Sequence, residues 1–422
     1  MAFLTALLLV QSSLLICYDG GFERWCLLKL LHEAARELSV TGSYDVLVAG
    51  GGVAGVAAAL AARRCGATVC LVEKNCALGG LATLGNVTIW LPLCDGRGNQ
   101  VSGGVAEELM RLAVRDLAAD NREAGFYGIP ACWESGGSEE ERRRQRFSAG
   151  FNPVSYLMAL EELVSGEGVE IRYDTRLCSL ARRGETITHA IIEDKGGRSA
   201  LAAAVFVDAT GDADLCHLAG EATEVLDSNV LCGWFYYMVN GVLRLRHCSN
   251  KYSPSLTREG AEGPFFRGDD PVAVSTMVQE SRKLMAGTLE KLRVELAGAE
   301  VEIFTIPVIP CFRATRRYAG GYTIVEEEAH KWHHDTCGMV SDWRKAGPVW
   351  AVPWRSLCAS GAGNLAVAGR CVAAAGGAWD VLRALPGCAV TGEAAGTAAA
   401  LVAAGGGDLR KLDAGVLQAR LR

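Results

Sequence analysis

Three glycines and one glutamate form the first stretch of the chain whose residue types and spacing could perform chemistry. Gly50, Gly52 and Gly55 follow a short apolar run in a G-x-G-x-x-G pattern, and Glu73 ends the next apolar run. Glycines in this pattern allow a tight strand-to-helix turn, close approach of the backbone to a pyrophosphate, and close packing of the helix on the strand. An acid at the position of Glu73 accepts hydrogen bonds from a ribose. These residues therefore predict a dinucleotide site.

The elements that must position this site flank the glycines. Residues 44–49 and 67–73 are predicted strands, and the Ala-rich residues 56–64 are a predicted helix between them. Residues 199–210 predict a further strand, which leads into Asp-Ala-Thr-Gly-Asp at 208–212. Because the N–H groups at the start of a helix attract phosphate, the order strand, helix, strand places the turn where a pyrophosphate would bind.

Composition restricts the class of protein. The chain has 422 residues, 50% hydrophobic and 21% charged, with a net charge of −6, which is typical of a globular protein. Basic residues are scattered, so no nucleic-acid partner is predicted. The 16 cysteines occur singly, without a C-x-x-C pair. That spacing argues against a zinc ribbon or an iron–sulfur cluster, predicts no metal site, and favours apolar packing residues in a reducing cytoplasm.

The N-terminus allows two interpretations. Residues 2–17 are largely apolar, but no Lys or Arg precedes them, and Gln11, Ser12 and Ser13 interrupt the run. A docked helix or start-site extension is one interpretation, and contact with a membrane is the other. The sequence leaves this choice open, and it also leaves open whether the chain forms a homo-oligomer.

Three separated segments share the motifs of one known family. They are YDVLVAGGGVAG with EKNCALGGLAT (44–83), VFVDATGDADL (205–215), and NLAVAGR with GEAAGTAAALV (364–402). From about residue 43 to 404 the chain resembles the bacterial FAD-dependent oxidoreductases with a glutathione-reductase-like flavin domain, whose substrates are mostly unassigned. The resemblance implies an α/β fold. A Rossmann-like FAD-binding domain, with a parallel sheet plus a β-meander, would carry an inserted α+β substrate-binding region.

The predicted domains are discontinuous in sequence. The FAD-binding domain would comprise residues 43–85, 150–215 and 355–405. The substrate-binding region would comprise residues 86–149 and 216–354. An apolar extension (1–42) and a C-terminal tail (406–422) would complete the chain.

The resemblance also implies which residues hold FAD. A helix predicted to begin near Thr391 would direct its N-terminus at the pyrimidine edge of the flavin, where reduced flavin carries negative charge. For Asp212 two interpretations stay open, namely hydrogen bonds to the N–H groups of its own turn or a cap on the next segment. The implied FAD-binding residues are Gly50, Gly52, Ala54, Gly55, Glu73, Lys74, Gly80, Thr83, Thr210, Gly211, Asp212, Gly369, Arg370, Gly392 and Ala395.

Candidate catalytic residues come from the middle of the chain. Arg313 and Arg316 lie in FRATRR (312–317), where planar guanidinium groups suit a substrate carboxylate or the O2 region of the flavin. A surface strand that carries arginines is the alternative. His330 is the predicted proton-transfer residue, with a structural or surface histidine as the alternative.

The predicted activity is the transfer of a hydride between a small organic substrate and N5 of FAD. A single dinucleotide fingerprint is present, so no nicotinamide domain is predicted. Two other functions remain open, namely a redox-neutral FAD-assisted isomerase or lyase, and a non-catalytic FAD-binding subunit of a larger complex.

Overall fold

The computed structural model describes residues 33–134 and 136–421. The chain divides into two compact units, Met1–Ser39 and Val40–Arg422. In the first unit the described residues, 33–39, contain no helix or strand. The apolar run at 2–17 lies outside the described residues, so its interpretation stays a prediction.

The second unit holds the secondary structure of the described chain. Its β-strands are β1 (Val40–Ala49), β2 (Val69–Val72), β3 (Ile89–Trp90), β4 (Ala149–Gly150), β5 (Glu170–Arg172), β6 (Arg176–Arg183), β7 (Thr186–Asp194), β8 (Gly197–Asp208), β9 (Thr223–Val225), β10 (Cys232–Val239), β11 (Val242–Ser249), β12 (Val301–Thr305), β13 (Arg316–Tyr318), β14 (Thr336–Ser341), β15 (Val349–Pro353) and β16 (Leu365–Val367). Its α-helices are α1 (Val53–Arg64), α2 (Gly104–Val114), α3 (Glu139–Arg144), α4 (Pro153–Gly166), α5 (Asp214–Leu218), α6 (Pro271–Glu295), α7 (Gly376–Leu382), α8 (Leu385–Gly405) and α9 (Ala414–Arg420).

A seven-stranded sheet forms the centre of this unit. Strands β5, β2, β1, β8 and β16 are parallel neighbours, while β6, β7 and β8 pair as an antiparallel meander. Strand β8 is long enough to belong to both parts: residues 197–202 pair with β7, and residues 206–208 pair with β16. The predicted α/β fold, a Rossmann-like parallel sheet with a β-meander, is therefore confirmed.

Helices α1 and α8 pack together through small residues. A Cβ on Gly392 would stand 2.2 Å from the Ala54 carbonyl oxygen, and one on Gly396 would stand 2.0 Å from that of Ala58. Larger side chains would force the two helices apart. Within the described residues, α8 is the helix whose length and apolar composition match a membrane span, and 78% of that stretch is buried inside the protein.

The start of α8 differs from the sequence prediction. The sequence predicts a start near Thr391, but the helix begins at Leu385 with Ala384 as its N-cap. Pro386 lies in the first turn, where its missing N–H is not needed and its fixed φ suits a helix. A proline that looks like a helix breaker in the sequence is therefore part of the helix start.

A smaller antiparallel sheet lies in the segment predicted to bind substrate. Strands β11, β10 and β12 pair in that order, and α6 packs on them through an apolar cluster that includes Phe235, Met285 and Leu289. Strand β13, which begins with Arg316, pairs with β9. The boundaries proposed for the substrate-binding region remain a prediction.

Candidate cofactor and substrate site

The Gly-rich turn between β1 and α1 leaves room for a phosphate group. Gly50 has φ +97°, and a Cβ there would stand 2.6 Å from the Ala209 carbonyl oxygen. A Cβ on Gly55 would stand 1.7 Å from the Gly50 carbonyl oxygen, so both positions need glycine for the fold itself. Gly52, the N-cap of α1, differs because a Cβ there would meet nothing within 4 Å. Open space therefore faces the N–H groups that begin α1.

A second pair of glycines borders this open space. The Gly79 N–H donates to the Gly51 carbonyl at 2.8 Å, and a Cβ on Gly80 would stand 3.3 Å from the Gly52 Cα. The hydroxyl of Thr83 donates to a carbonyl of the same loop at 2.6 Å. The structure therefore places Gly80 beside the Gly-rich turn, whereas Thr83 is buried and stabilises the loop.

Glu73 follows β2 with its carboxylate facing the same turn. Oε2 accepts from the Gly51 N–H at 2.7 Å, and Oε1 accepts from the N–H and side-chain amide of Asn75 at 2.8 and 2.7 Å. A carboxylate offers about four acceptor sites, so capacity remains for a ribose hydroxyl. Lys74, the next residue, is exposed and lies within electrostatic range of Asp214.

Asp208 organises the turn that follows β8. Its fully buried carboxylate accepts from the N–H and hydroxyl of Thr210 at 3.2 and 2.7 Å and from the Cys216 N–H at 2.9 Å. Burial raises the pKa of Asp208. The N-cap of α5 is Ala213. Both interpretations of Asp212 are therefore wrong for the described hydrogen bonds, because Asp208 bonds the turn and Asp212 caps nothing.

Asp212 instead forms an ion pair with Arg370, whose Nη2 lies 2.6 Å from Oδ1 of Asp212. Nε of Arg370 donates to the Gly211 carbonyl at 2.9 Å, and Nη1 donates to the Phe312 carbonyl at 2.5 Å. Gly211 has φ +79°, which favours glycine. Arg370 therefore connects the end of β16 both to the turn after β8 and to the FRATRR segment.

Arg316 supports the same turn from β13. Its Nε donates to the Asp212 carbonyl at 2.8 Å, and its Nη2 donates to Oδ1 of Asp214 at 2.7 Å. Burial raises the pKa of Asp214, an effect that Lys74 and Arg316 oppose. With these donors engaged, the contacts of Arg316 show a positioning role, and its predicted contact with substrate stays a prediction.

Arg313 is surrounded differently. Its guanidinium carbon lies 3.9 Å from the centre of the Tyr252 ring, and its Nη2 donates to the Ser249 hydroxyl at 2.9 Å. Nε is buried without a hydrogen-bond partner. No carboxylate of the described chain pairs with Arg313, so its positive charge is unmatched.

Two further arginines lie within electrostatic range of Tyr252. Arg344 holds Asp342 through two hydrogen bonds of 3.0 Å, and Arg383 holds Asp380 at 2.9 Å. Asp380 is fully buried, and its Oδ2 lacks a hydrogen-bond partner while standing 3.8 Å from Nη1 of Arg344. Burial raises the pKa of Tyr252, and the negative charge of Asp380 acts in the same direction. We call these residues the Tyr252 cluster: Tyr252, Arg313, Asp342, Arg344, Asp380 and Arg383.

Cys388 connects the Tyr252 cluster to the end of β16. Its thiol donates to the Arg383 carbonyl at 3.3 Å, and its sulfur would stand 3.7 Å from a Cβ on Gly369. That Cβ would also stand 2.6 Å from the Cβ of Ala54 in α1. Burial raises the pKa of Cys388 to about 11, so the thiol stays protonated at neutral pH. The first turn of α8, the end of β16 and the start of α1 therefore meet beside the Tyr252 cluster.

Two predicted FAD contacts lie deeper in α8 than expected. Gly392 packs against the Ala54 carbonyl, and Ala395 is completely buried. The turn at residues 385–387 forms the N-terminus of this helix instead. The free N–H groups at the start of this helix are therefore those of Leu385 and Gly387 rather than those near Thr391, because Pro386 has none.

His330 is not brought to the arginines. Its side chain is exposed, its φ is +66°, and its N–H donates to the Val349 carbonyl at 2.7 Å. No contact found in the described chain joins it to Arg313 or Arg316, so proton transfer by His330 stays a prediction. Over the same residues, no group of His, Cys, Asp and Glu is arranged to hold a metal ion.

Sequence reasoning missed Tyr252 and Asp380. A single tyrosine in an irregular segment and a single aspartate in a short helix have no motif around them. The D-W-R spacing of residues 342–344 was the available signal, because an aspartate and an arginine two residues apart can form a local bidentate pair.

These observations define a class of protein. A parallel sheet ends in a Gly-rich turn with open space in front of a helix N-terminus, and Glu73 on the next strand has acceptor capacity for a ribose, which fits the ADP half of a flavin dinucleotide. The family model described as FAD dependent oxidoreductase matches residues 45–230 and 262–421. The chain belongs to this family, and FAD is its cofactor.

Solved structures resemble the chain at low similarity. CabE, an aromatic hydroxylase from angucycline biosynthesis, is 14% identical with a TM-score of 0.43, and the match covers 89% of this chain and 65% of that one. A flavocytochrome c3 fumarate reductase is 14% identical with a TM-score of 0.41, covering 86% and 79%. A geranylgeranyl bacteriochlorophyll reductase-like protein from Thermoplasma acidophilum is 12% identical with a TM-score of 0.42, covering 90% of each. The comparison with curated proteins found no match.

Proposed function

We propose that this FAD-dependent oxidoreductase moves a hydride between a small organic substrate and N5 of the flavin. The observation that carries the proposal is the contact of Arg370 with both Asp212 and Phe312. It joins the carboxyl ends of β8 and β16, where ligands bind in open α/β sheets, to the segment that contains Arg313. A substrate held near Arg313 would therefore lie beside the cofactor.

The chain's own residues would perform binding and orientation. FAD, when bound, supplies a two-electron acceptor or donor. The open turn at Gly52 and the carboxylate of Glu73 would hold its ADP half. The N–H groups of Leu385 and Gly387 would favour negative charge at the flavin end of the site, because a helix N-terminus carries partial positive charge. Arg370 and Arg316 would fix the turn after β8 relative to the segment 312–317.

Removal or addition of a hydride is often paired with movement of a proton. Tyr252 is better placed for that role than His330, because it lies against Arg313 and His330 is exposed without such a contact. The Tyr252 hydroxyl makes no hydrogen bond to the described residues. A phenol is protonated at neutral pH, and burial raises the pKa of Tyr252 further, so this hydroxyl could donate a proton.

Anaerobic reduction of the bound flavin tests the proposal. The full chain, loaded with FAD, would be mixed with pools of small metabolites while the visible flavin band is followed. We expect one or more pools to bleach the flavin, and air to restore the band. The Tyr252→Phe variant should bleach more slowly than the wild type. His330→Ala tests the alternative predicted from the sequence, and slower bleaching in that variant alone would assign proton transfer to His330 instead of Tyr252.

Two results would overturn the proposal. If dithionite reduces the flavin but no pool does, a non-catalytic FAD-binding subunit is favoured. If a pool component is converted while the flavin shows no reduced state, a redox-neutral isomerase or lyase is favoured.

A further inference from the structure

We infer that the Tyr252 cluster binds a carboxylate group of the substrate, so that this enzyme acts on small organic acids rather than on neutral compounds. The inference rests on the proposed function, because it names the substrate class of the same site. It depends on the charges, donors and location of the cluster.

Within the Tyr252 cluster, Arg313 is the arginine whose positive charge has no carboxylate partner among the described residues. Arg344 is paired with Asp342, and Arg383 with Asp380. A third carboxylate, the half-exposed Glu326, lies 3.9 Å from Arg344 and does not reach Arg313. Neighbouring arginines of the FRATRR segment are also matched, Arg316 by Asp214 and Arg317 by Glu224. Arg313 therefore carries the positive charge that a bound anion would neutralise.

The geometry of Arg313 is fixed by its protein contacts. The Tyr252 ring lies against its face, and Ser249 accepts a hydrogen bond from Nη2. Because Nε is buried and has no acceptor, the side chain holds an unsatisfied donor. A guanidinium group held in this way is preorganised for a planar carboxylate, which accepts parallel N–H bonds from one edge.

The remaining polar groups also favour an anion. The Tyr252 hydroxyl makes no hydrogen bond to the described residues and adds a donor, because a phenol is protonated at neutral pH. Oδ2 of Asp380 accepts no hydrogen bond from the described residues. Asp380 is fully buried, however, and its carboxylate is close to both Arg344 and Arg383. One unmatched positive charge, that of Arg313, suits a carboxylate, which carries a single negative charge, better than a phosphate dianion.

The location places the bound group next to the cofactor. Arg383 directly precedes the N-cap of α8, and Cys388 in the first turns of that helix approaches Gly369 at the end of β16. A carboxylate on Arg313 would therefore anchor a short substrate whose reacting carbon lies toward the flavin end of the site.

Titration of the FAD-loaded full chain tests this inference. The probes are acetate, benzoate and succinate, the matched amides acetamide, benzamide and succinamide, and inorganic phosphate. The readout is the change in the visible flavin spectrum. We expect at least one acid to bind saturably, with affinity that falls as salt is added, and the amides and phosphate to bind at least about tenfold more weakly.

Variants of Arg313 test whether this residue binds the acid. Arg313→Ala should weaken acid binding about tenfold or more, and Arg313→Lys should restore part of it. FAD affinity and thermal stability report whether either variant is misfolded. Arg246→Ala, which removes an exposed arginine from β11, is the matched control and should bind acids as the wild type does.

Specific outcomes would overturn the inference. They are equal binding of acids and amides, equal binding of phosphate, no spectral change with any acid, or acid binding that survives Arg313→Ala. If neutral metabolites bleach the flavin as readily as acids, the substrate class is wrong while hydride transfer stands. If acids bind through Arg313 but no metabolite bleaches the flavin, hydride transfer fails while the anion site stands.

Discussion

Arg370 and Asp212 form an ion pair that joins the end of β16 to the turn after β8, with 2.6 Å between Nη2 and Oδ1. Both side chains are partly buried, so removing one partner would leave the other charge poorly compensated. The same guanidinium group donates to the Phe312 carbonyl. This pair therefore fixes how the nucleotide-binding strands meet the segment that carries Arg313.

Replacing Arg370 by Met should lower both stability and FAD affinity. We expect a loss of about 1–3 kcal/mol in the free energy of unfolding, since a charge-assisted hydrogen bond and an ion pair are broken. Urea unfolding of Arg370→Met, Asp212→Asn and the double variant would measure the coupling between the two residues. Losses that add to within about 0.5 kcal/mol would contradict a direct interaction.

Gly52 and Gly55 should respond differently to alanine. Gly52→Ala meets no atom of the protein, so the thermal unfolding of the FAD-free protein should be unchanged, while FAD affinity should fall about tenfold or more. In Gly55→Ala the new Cβ strikes the Gly50 carbonyl, so the FAD-free protein should lose about 1–3 kcal/mol. Thermal unfolding without FAD, followed by FAD titration, separates the two effects. Equal destabilisation of both variants would contradict the open space at Gly52, and unchanged FAD affinity in Gly52→Ala would show that this space is not a phosphate site.

The close packing of α1 against α8 predicts different effects on stability for two glycine-to-alanine substitutions in α8. Gly396→Ala places a Cβ 2.0 Å from the Ala58 carbonyl, and the cost of separating the helices, about 1–3 kcal/mol, should exceed the gain of about 1 kcal/mol in helix propensity. Gly405→Ala, in the same helix but with no atom within 4 Å, should be neutral or slightly stabilising. Urea unfolding measures both variants. A stabilised Gly396→Ala protein would contradict the packing described.

Stability should also depend on the protonation of Glu393. This residue of α8 accepts from the Val105 N–H at 3.1 Å, and burial raises its pKa above the ordinary value of 4.5. Because the folded state then binds the proton more tightly than the unfolded chain, this stabilisation is present below the ordinary pKa. It is lost as the pH rises through the raised pKa.

Glu393→Gln removes this titration. Urea unfolding of the wild type and the variant, repeated from mildly acidic to neutral pH, should show the wild type losing stability relative to the variant as the pH rises. A difference between the two proteins that stays constant with pH would contradict the assignment.

The cofactor end of the site was predictable from sequence because its chemistry is local. Gly50, Gly52 and Gly55 act within one turn, and Glu73 acts one strand later, so their spacing determines their roles. The family match and the seven-stranded sheet confirm the FAD-dependent class and the α/β fold.

The substrate end was not predictable, because its residues come from distant segments. Tyr252, Arg313, Arg344 and Asp380 meet through tertiary packing, and no spacing links them in sequence. Arg316 and Arg313 carry the same charge in the sequence, but only the structure shows that Arg316 pairs with Asp214. The sequence predicts proton transfer by His330 from the family resemblance, and the exposure of this side chain cannot be read from neighbouring residues.

Hydride transfer to or from the flavin is best tested by an isotope measurement. With a substrate from the anaerobic screen, deuterated at the carbon that gives up the hydride, the rate of flavin bleaching would be compared with that for the undeuterated compound. We expect slower bleaching with deuterium, in a single turnover without oxygen. Equal rates at saturating substrate, or a flavin that only dithionite reduces, would contradict it.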